Sequence, residues 1–277
     1  MMPNDFAYDR PATAAEAVRL FGSFDAKGKS PMYYSGGTEV ITFGRLGLVR
    51  TGAVIDIKGI PECRALGYVQ DDLVLGAGLS LTEVEEANPF PLLSKTSGGV
   101  ADRTARNKIT LGGNVCGRIF YREAVLPFLL ADSDVVLAGA SGWRRLPIRQ
   151  VFRGEMQLGQ GELLLGFLTS RSYLSLPHVH LKRRQQWKTG YPLVTAAALR
   201  KDDRLRVAFS GVCPFPFRSA EMEEALNARG VAPAARIDEA VRRVPALVLN
   251  DVEGSAEYRL FVLRNALADI VDAIGGE

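Results

Sequence analysis

Cysteine and histidine are scarce in this 277-residue chain. The three cysteines, Cys63, Cys116 and Cys213, form no CxxC pair and are odd in number. A disulfide framework, or a zinc or iron–sulfur centre built by this chain alone, is therefore not expected. The two histidines, His178 and His180, would share one face of a strand. No further ligands accompany them, so they read as structural and no metal site is expected. No apolar run approaches the roughly 18 residues of a membrane helix. The opening residues lack the basic and apolar segments of a secretory leader, so a cytoplasmic location is expected. A net charge of +3 is too mild to single out nucleic acid or a membrane surface. Arg183, Arg184 and Lys188 with Trp187 form a short basic cluster, read as a solvated or ligand-facing loop. Neither GxGxxG nor GxxxxGK[ST] is present. Gly76-Ala77-Gly78 starts like the former, but Leu81 stands where the third glycine belongs.

What is present is the texture of a folded protein: 47% hydrophobic and 23% charged residues, which argues against disorder. Thr13 and Glu16 have capping-box spacing ahead of Ala17, Val18, Leu20 and Phe21, which recur at helical intervals. Pro31–Tyr34 predicts a short strand, a Gly turn follows, and Val40, Ile41 and Phe43 begin a second helix. Ala53–Ile57 predicts another buried strand. Short strands alternating with helices imply a small parallel sheet over residues 1–60.

From about residue 65 the pattern becomes mixed. Tyr68-Val69 and Leu73–Gly78 predict a hairpin around Asp71-Asp72, and Thr82 is expected to cap a helix through Ala87. A glycine-broken stretch at residues 110–114 precedes a helical run from Ala124 to Ala131, where Pro127 fits only the first turn. Strands are expected at 135–138, 143–146, 163–165 and 178–181. Leu193–Leu199 and Leu205–Phe209 should pair around Lys201–Arg204. Helices are expected at Ala220–Arg229, Ile237–Val244 and Ser255–Ile274, the last with one apolar face. The fold class is α+β. A first domain spans 1–176, with subdomains of about 1–60 and 61–176, and a second spans 177–277.

Two glycine-bearing turns stand out: Tyr34-Ser35-Gly36-Gly37-Thr38-Glu39 and Thr110-Leu111-Gly112-Gly113-Asn114. Gly-Gly permits positive φ and close approach to a ligand. Successive N–H groups would form an anion nest, reinforced by a following helix N-terminus. Two such turns could grip a pyrophosphate from two sides.

The order and context of these segments resemble the FAD-binding subunit or domain of the xanthine dehydrogenase and carbon monoxide dehydrogenase family. Residues 6–21 (FAYDRPATAAEAVRLF) are similar to that family's opening, and 33–40 (YYSGGTEV) to its first flavin loop. VIDIKGIPE at 54–62 is similar to the strand that follows, TLGGNVC at 110–116 to the second loop, and GSAEYRLFVLRNAL at 254–267 to the C-terminal helix. The resemblance covers nearly the whole chain in order. It implies an FAD-binding domain of the PCMH-like type, with two subdomains clasping FAD. A small antiparallel sheet with helices, like that of the CO dehydrogenase flavoprotein C-terminal domain, follows it.

The resemblance also implies roles. Tyr34, Ser35, Gly36, Gly37, Thr38, Glu39 and Val40 match the first FAD-wrapping loop. Thr110, Gly112, Gly113 and Asn114 match the second. Glu123 matches an aspartate that anchors the cofactor, Leu164 an apolar residue against the adenine, and Lys182 a lysine near the flavin, with Lys188 a second candidate. FAD would be non-covalent. Molybdopterin and [2Fe-2S] clusters would lie on a large and a small partner subunit, and electrons would leave FAD for NAD or a quinone. No residue of this chain is expected to act as a covalent or acid–base catalyst. Residues 117–122 depart from the family's small, polar residues, bringing Arg118, Phe120, Tyr121 and Arg122 to the expected cleft. One of the aromatics could shield a flavin face, or the segment could pack in a core or against a partner. Two other readings remain: a self-contained flavin oxidase, for which Cys116 offers a covalent attachment point, and an assembly factor that has lost FAD.

Overall fold

A computed structural model describes residues 5–185 and 190–275. The architecture is α+β, built on three sheets that follow one another along the sequence. The first is parallel: β1 (Ala7–Asp9), β2 (Met32–Tyr34) and β3 (Ala53–Asp56), in the order β1-β3-β2. Every residue of the central strand β3 is buried, as a strand with neighbours on both edges requires. The helix Ala14–Asp25 crosses from β1 to β2. Thr13 caps it by accepting the Glu16 N–H, but the Glu16 carboxylate takes the N–H of Ala12 rather than that of the cap residue.

The second sheet is antiparallel: β4 (Leu66–Val69), β5 (Asp72–Gly76), β6 (Asp134–Gly139), β7 (Gly142–Pro147) and β8 (Leu163–Ser170), in the order β4-β5-β8-β6-β7. Short helices inserted between β5 and β6 cover it, and Phe128 stacks on Phe167 at 4.1 Å in their shared core. The cap of the helix Leu81–Ala87 is Ser80, not Thr82. Ser80 and Glu83 close a full capping box, while the Thr82 hydroxyl turns to Asn107 Oδ1, 2.8 Å away. The stretch expected to be broken by its glycines is a short helix, Leu111–Cys116.

The third sheet, β9 (His178–Arg184), β10 (Pro192–Lys201), β11 (Arg204–Ser210) and β12 (Phe217–Arg218), has the order β12-β11-β10-β9. Its two middle strands are buried on both faces. Ala197, Leu199 and Ala208 join the core of the second sheet. Val194, Ala196, Ala198, Val207 and Phe209 point the other way, onto the helices Ala220–Leu226 and Ala256–Ile274. Two-residue alternation thus explains the nearly unbroken apolar run of β10. The helices expected at 220–229 and 237–244 run instead over Ala220–Leu226 and Pro233–Arg242, the second opening on a proline that needs no N–H partner there. Among the described residues no helix is long and apolar enough to cross a membrane.

Candidate cofactor site

The first turn leaves β2 at Tyr34 and enters the helix Thr38–Arg45. Gly37 sits at φ 72°, in the left-handed region, and a Cβ there would lie 2.4 Å from the Tyr34 ring. Gly36 is required for contact rather than for dihedral freedom. A Cβ on it would fall 1.8 Å from the Lys108 carbonyl oxygen, so this turn is pressed directly against the segment leading into the second.

A network centred on the buried Asp56 stands behind the turn. Lys58 Nζ donates to Asp56 Oδ2 at 2.7 Å and to the Ser35 carbonyl at 3.2 Å, and lies 4.5 Å from the Tyr34 ring centre. The Tyr8 hydroxyl donates to the same Asp56 oxygen at 2.5 Å. Burial pushes the Asp56 carboxyl up, but the bonds from Lys58 and Tyr8 outweigh it and hold it below the ordinary aspartate value. The motif Asp56-Ile57-Lys58, a carboxylate at a strand end with a cation two residues on, was the available sequence signal for this support.

The first turn presents unused donors. The N–H groups of Thr38, Glu39 and Val40 open a helix and have no intrahelical acceptor. The Ser35 hydroxyl is buried without a partner. The second turn differs from expectation. Leu111 N–H bonds Leu79 O and Gly112 N–H bonds Ala77 O, both at 2.8 Å, and Gly113 N–H meets the Thr110 hydroxyl oxygen at 3.2 Å. Neither Gly112 nor Gly113 adopts positive φ. Gly112 is glycine because a Cβ would stand 2.6 Å from that of Ala77. This turn is therefore a packed helix start, not an anion nest. What it offers the cleft is the Thr110 hydroxyl as a donor and the Asn114 amide, whose Oδ1 is held by Ala124 N–H at 3.0 Å.

Both turns line one cleft of about 650 Å³. Ser35 to Val40, Thr110, Gly113, Asn114, Glu123 and Lys182 all reach it, whereas Tyr34, Gly112 and Leu164 do not. Leu164 is buried in the core of the second sheet, opposite Leu137 beside a bulge in β8. Lys188 and Trp187 fall outside the described residues.

The carboxylates among these residues are turned to the protein itself. Glu39 accepts the backbone N–H groups of Arg118 at 2.5 Å and Ile119 at 2.9 Å, tying the first turn's helix to the chain after the second turn. Glu123 pairs with Lys182 at 2.6 Å and accepts the Thr195 hydroxyl at 2.6 Å. Lys182 also donates to Gly99 O at 2.8 Å. Burial lowers the Lys182 ammonium, and Glu123 offsets part of that effect.

The third wall joins Tyr121, which the sequence brought to the expected cleft, to Tyr191, which it did not. Tyr191, just before β10, stacks on Tyr121 with ring centres 4.6 Å apart and planes 14° from parallel. Tyr121 is 7% exposed and Tyr191 48%. Burial pushes the Tyr121 hydroxyl up to about 12. Arg122 follows at φ 36°, its guanidinium bonded to the carbonyls of Gly117 at 2.6 Å and Gly154 at 2.9 Å. Cys116 is exposed on the cleft.

These features fit a flavin dinucleotide. An orphaned buried hydroxyl and a helix start suit an anionic diphosphate. Apolar Met32, Phe43 and Val49 and the tyrosine pair suit a planar ring system. Residues 4–168 match the model of the FAD binding domain in molybdopterin dehydrogenase, and the chain belongs to that family. It is thus an FAD-binding component of an oxidoreductase. The chain is 25% identical over 299 residues to the xanthine dehydrogenase FAD-binding subunit of Escherichia coli O157:H7, covering 99% of each. It is 26% identical over 278 residues to the carbon monoxide dehydrogenase medium chain of Hydrogenophaga pseudoflava, covering 94% of this chain and 93% of that one. Among solved structures, a carbon monoxide dehydrogenase from Hydrogenophaga pseudoflava superposes with a TM-score of 0.88 at 22% identity, over 99% of this chain and 98% of that one. Quinoline 2-oxidoreductase from Pseudomonas putida 86 superposes with a TM-score of 0.85 at 20% identity, over the same shares.

Proposed function

We propose that this chain is the FAD-binding, electron-transferring subunit of a molybdenum hydroxylase. It works with a large molybdopterin-binding subunit and a small [2Fe-2S] subunit, and passes electrons to NAD or a quinone. The full-length relatives carry names of such subunits. The observation that carries the reading is the first turn. Gly36 is jammed against Lys108 and Gly37 against Tyr34, while the Ser35 hydroxyl and the opening N–H groups of the helix stay unengaged on the cleft.

Bound FAD would supply one- and two-electron redox chemistry. The chain's own contribution is placement and field. Ser35, Thr38 and Thr110 would donate to the diphosphate, and the Asn114 amide would donate beside it. Lys182, held by Glu123, lies at the cleft floor, where its ammonium would donate toward a reduced, anionic ring. The stacked rings of Tyr121 and Tyr191 would give the flavin an aromatic wall.

The test is direct. Purified chain reconstituted with FAD is expected to retain a yellow chromophore, and the native complex to co-purify with the two partner subunits. Anaerobic substrate should then bleach the flavin, and NAD or a quinone should restore its colour. A colourless protein that binds no FAD in calorimetry would overturn the reading.

A further inference from the structure

We propose that Arg118 is a diphosphate-binding residue of the FAD site, brought to the first turn by Glu39. The inference rests on the reading that the cleft holds FAD.

Three N–H groups of the second turn are engaged inside the protein, so that turn cannot wrap an anion with its backbone. Of the two turns, it is the first that leaves backbone donors free for a diphosphate. A second source of positive charge has to stand across from it. Glu39 supplies the connection, because its two carboxylate oxygens hold the N–H groups of Arg118 and Ile119 at 2.5 and 2.9 Å. Gly117 makes this approach possible, since a Cβ there would lie 2.9 Å from Glu39 Oε2. The backbone of Arg118 is thereby fixed against the start of the helix Thr38–Arg45, whose first residues line the cleft.

The Arg118 side chain is exposed, lines the same cleft, and meets no carboxylate or carbonyl among the described residues. Of the other cations that line the cleft, Arg122 is held by two carbonyls and Lys182 by Glu123. Glu39 would repel a diphosphate if its charge were free, but both its oxygens accept N–H groups. A planar fork with paired donors is the geometry that matches phosphate oxygens.

The experiment is FAD titration of the full-length apoprotein by flavin fluorescence, at low and high KCl, with inorganic pyrophosphate as competitor. Arg118→Ala is expected to weaken FAD binding about tenfold, the equivalent of roughly 1.4 kcal/mol. It should also flatten the KCl dependence and weaken competition by pyrophosphate. Arg118→Lys should restore most of both, since it keeps the charge. Affinity equal to wild type in Arg118→Ala, or a loss with unchanged salt dependence, would overturn the proposal. Wild-type protein that binds no FAD overturns the cofactor reading instead, so the two failures are separable.

Discussion

Glu123 and Lys182 form an ion pair, 2.6 Å long with both side chains about 5% exposed, that ties the helical insertion of the second sheet to strand β9 of the third. The pair sits at the cleft floor, so the contact bridges the second and third sheets at the site. Removing one partner leaves the other buried and uncompensated. Lys182→Met is expected to cost about 3–5 kcal/mol, read by urea unfolding. The double variant Glu123→Gln/Lys182→Met should recover most of that loss. If the single variant proves as stable as wild type, the pair carries no structural weight.

His180 should make stability depend on pH. Its imidazole is pushed down to about 4 from 6.5, first by burial and then by the cations Lys182, Arg184 and Lys95. Between about pH 4 and 6.5 the unfolded chain therefore binds a proton that the folded chain refuses. Stability should fall as pH drops through that window, by roughly 3 kcal/mol in all, and stay flat above it. The gap between wild type and His180→Leu, measured by denaturant titration from pH 4 to 8, should change across the window. A constant gap would show that His180 does not titrate differently on folding.

Gly36→Ala tests the contact between the two turns. The new methyl would land on the Lys108 carbonyl, so one segment has to move. Overpacking of this kind costs about 1–3 kcal/mol, and FAD affinity is expected to fall at least tenfold because the donors of the first turn shift with it. Unchanged affinity would mean that the turns are not held in register by this glycine.

Cys116 is exposed on the cleft, so covalent flavin attachment has a clear experimental signature. After acid precipitation of reconstituted protein, all yellow colour is expected in the supernatant, and Cys116→Ala should bind FAD like wild type. Colour retained in the pellet and lost in the variant would point to a thioether-linked flavin.

The elements of this chain, and their order, were legible in the sequence because they depend on neighbours a few residues apart. Thr13 ahead of Ala17 and Val18, the apolar run of β10 and the Gly-Gly pairs are all local patterns. They sufficed for the α+β class, for the parallel opening unit and for the two turns that meet at the cleft. What those turns do with their donors was decided by partners far away in sequence. Gly36 owes its identity to Lys108, Glu39 bonds the N–H groups 79 and 80 residues later, and Glu123 finds Lys182 and Thr195, 59 and 72 residues on. A Gly-Gly pair reads the same whether its N–H groups face a ligand or the carbonyls of Ala77 and Leu79. Which acceptor a donor meets is settled only when separate segments pack, and the free energy of burying an unpaired polar group makes that choice.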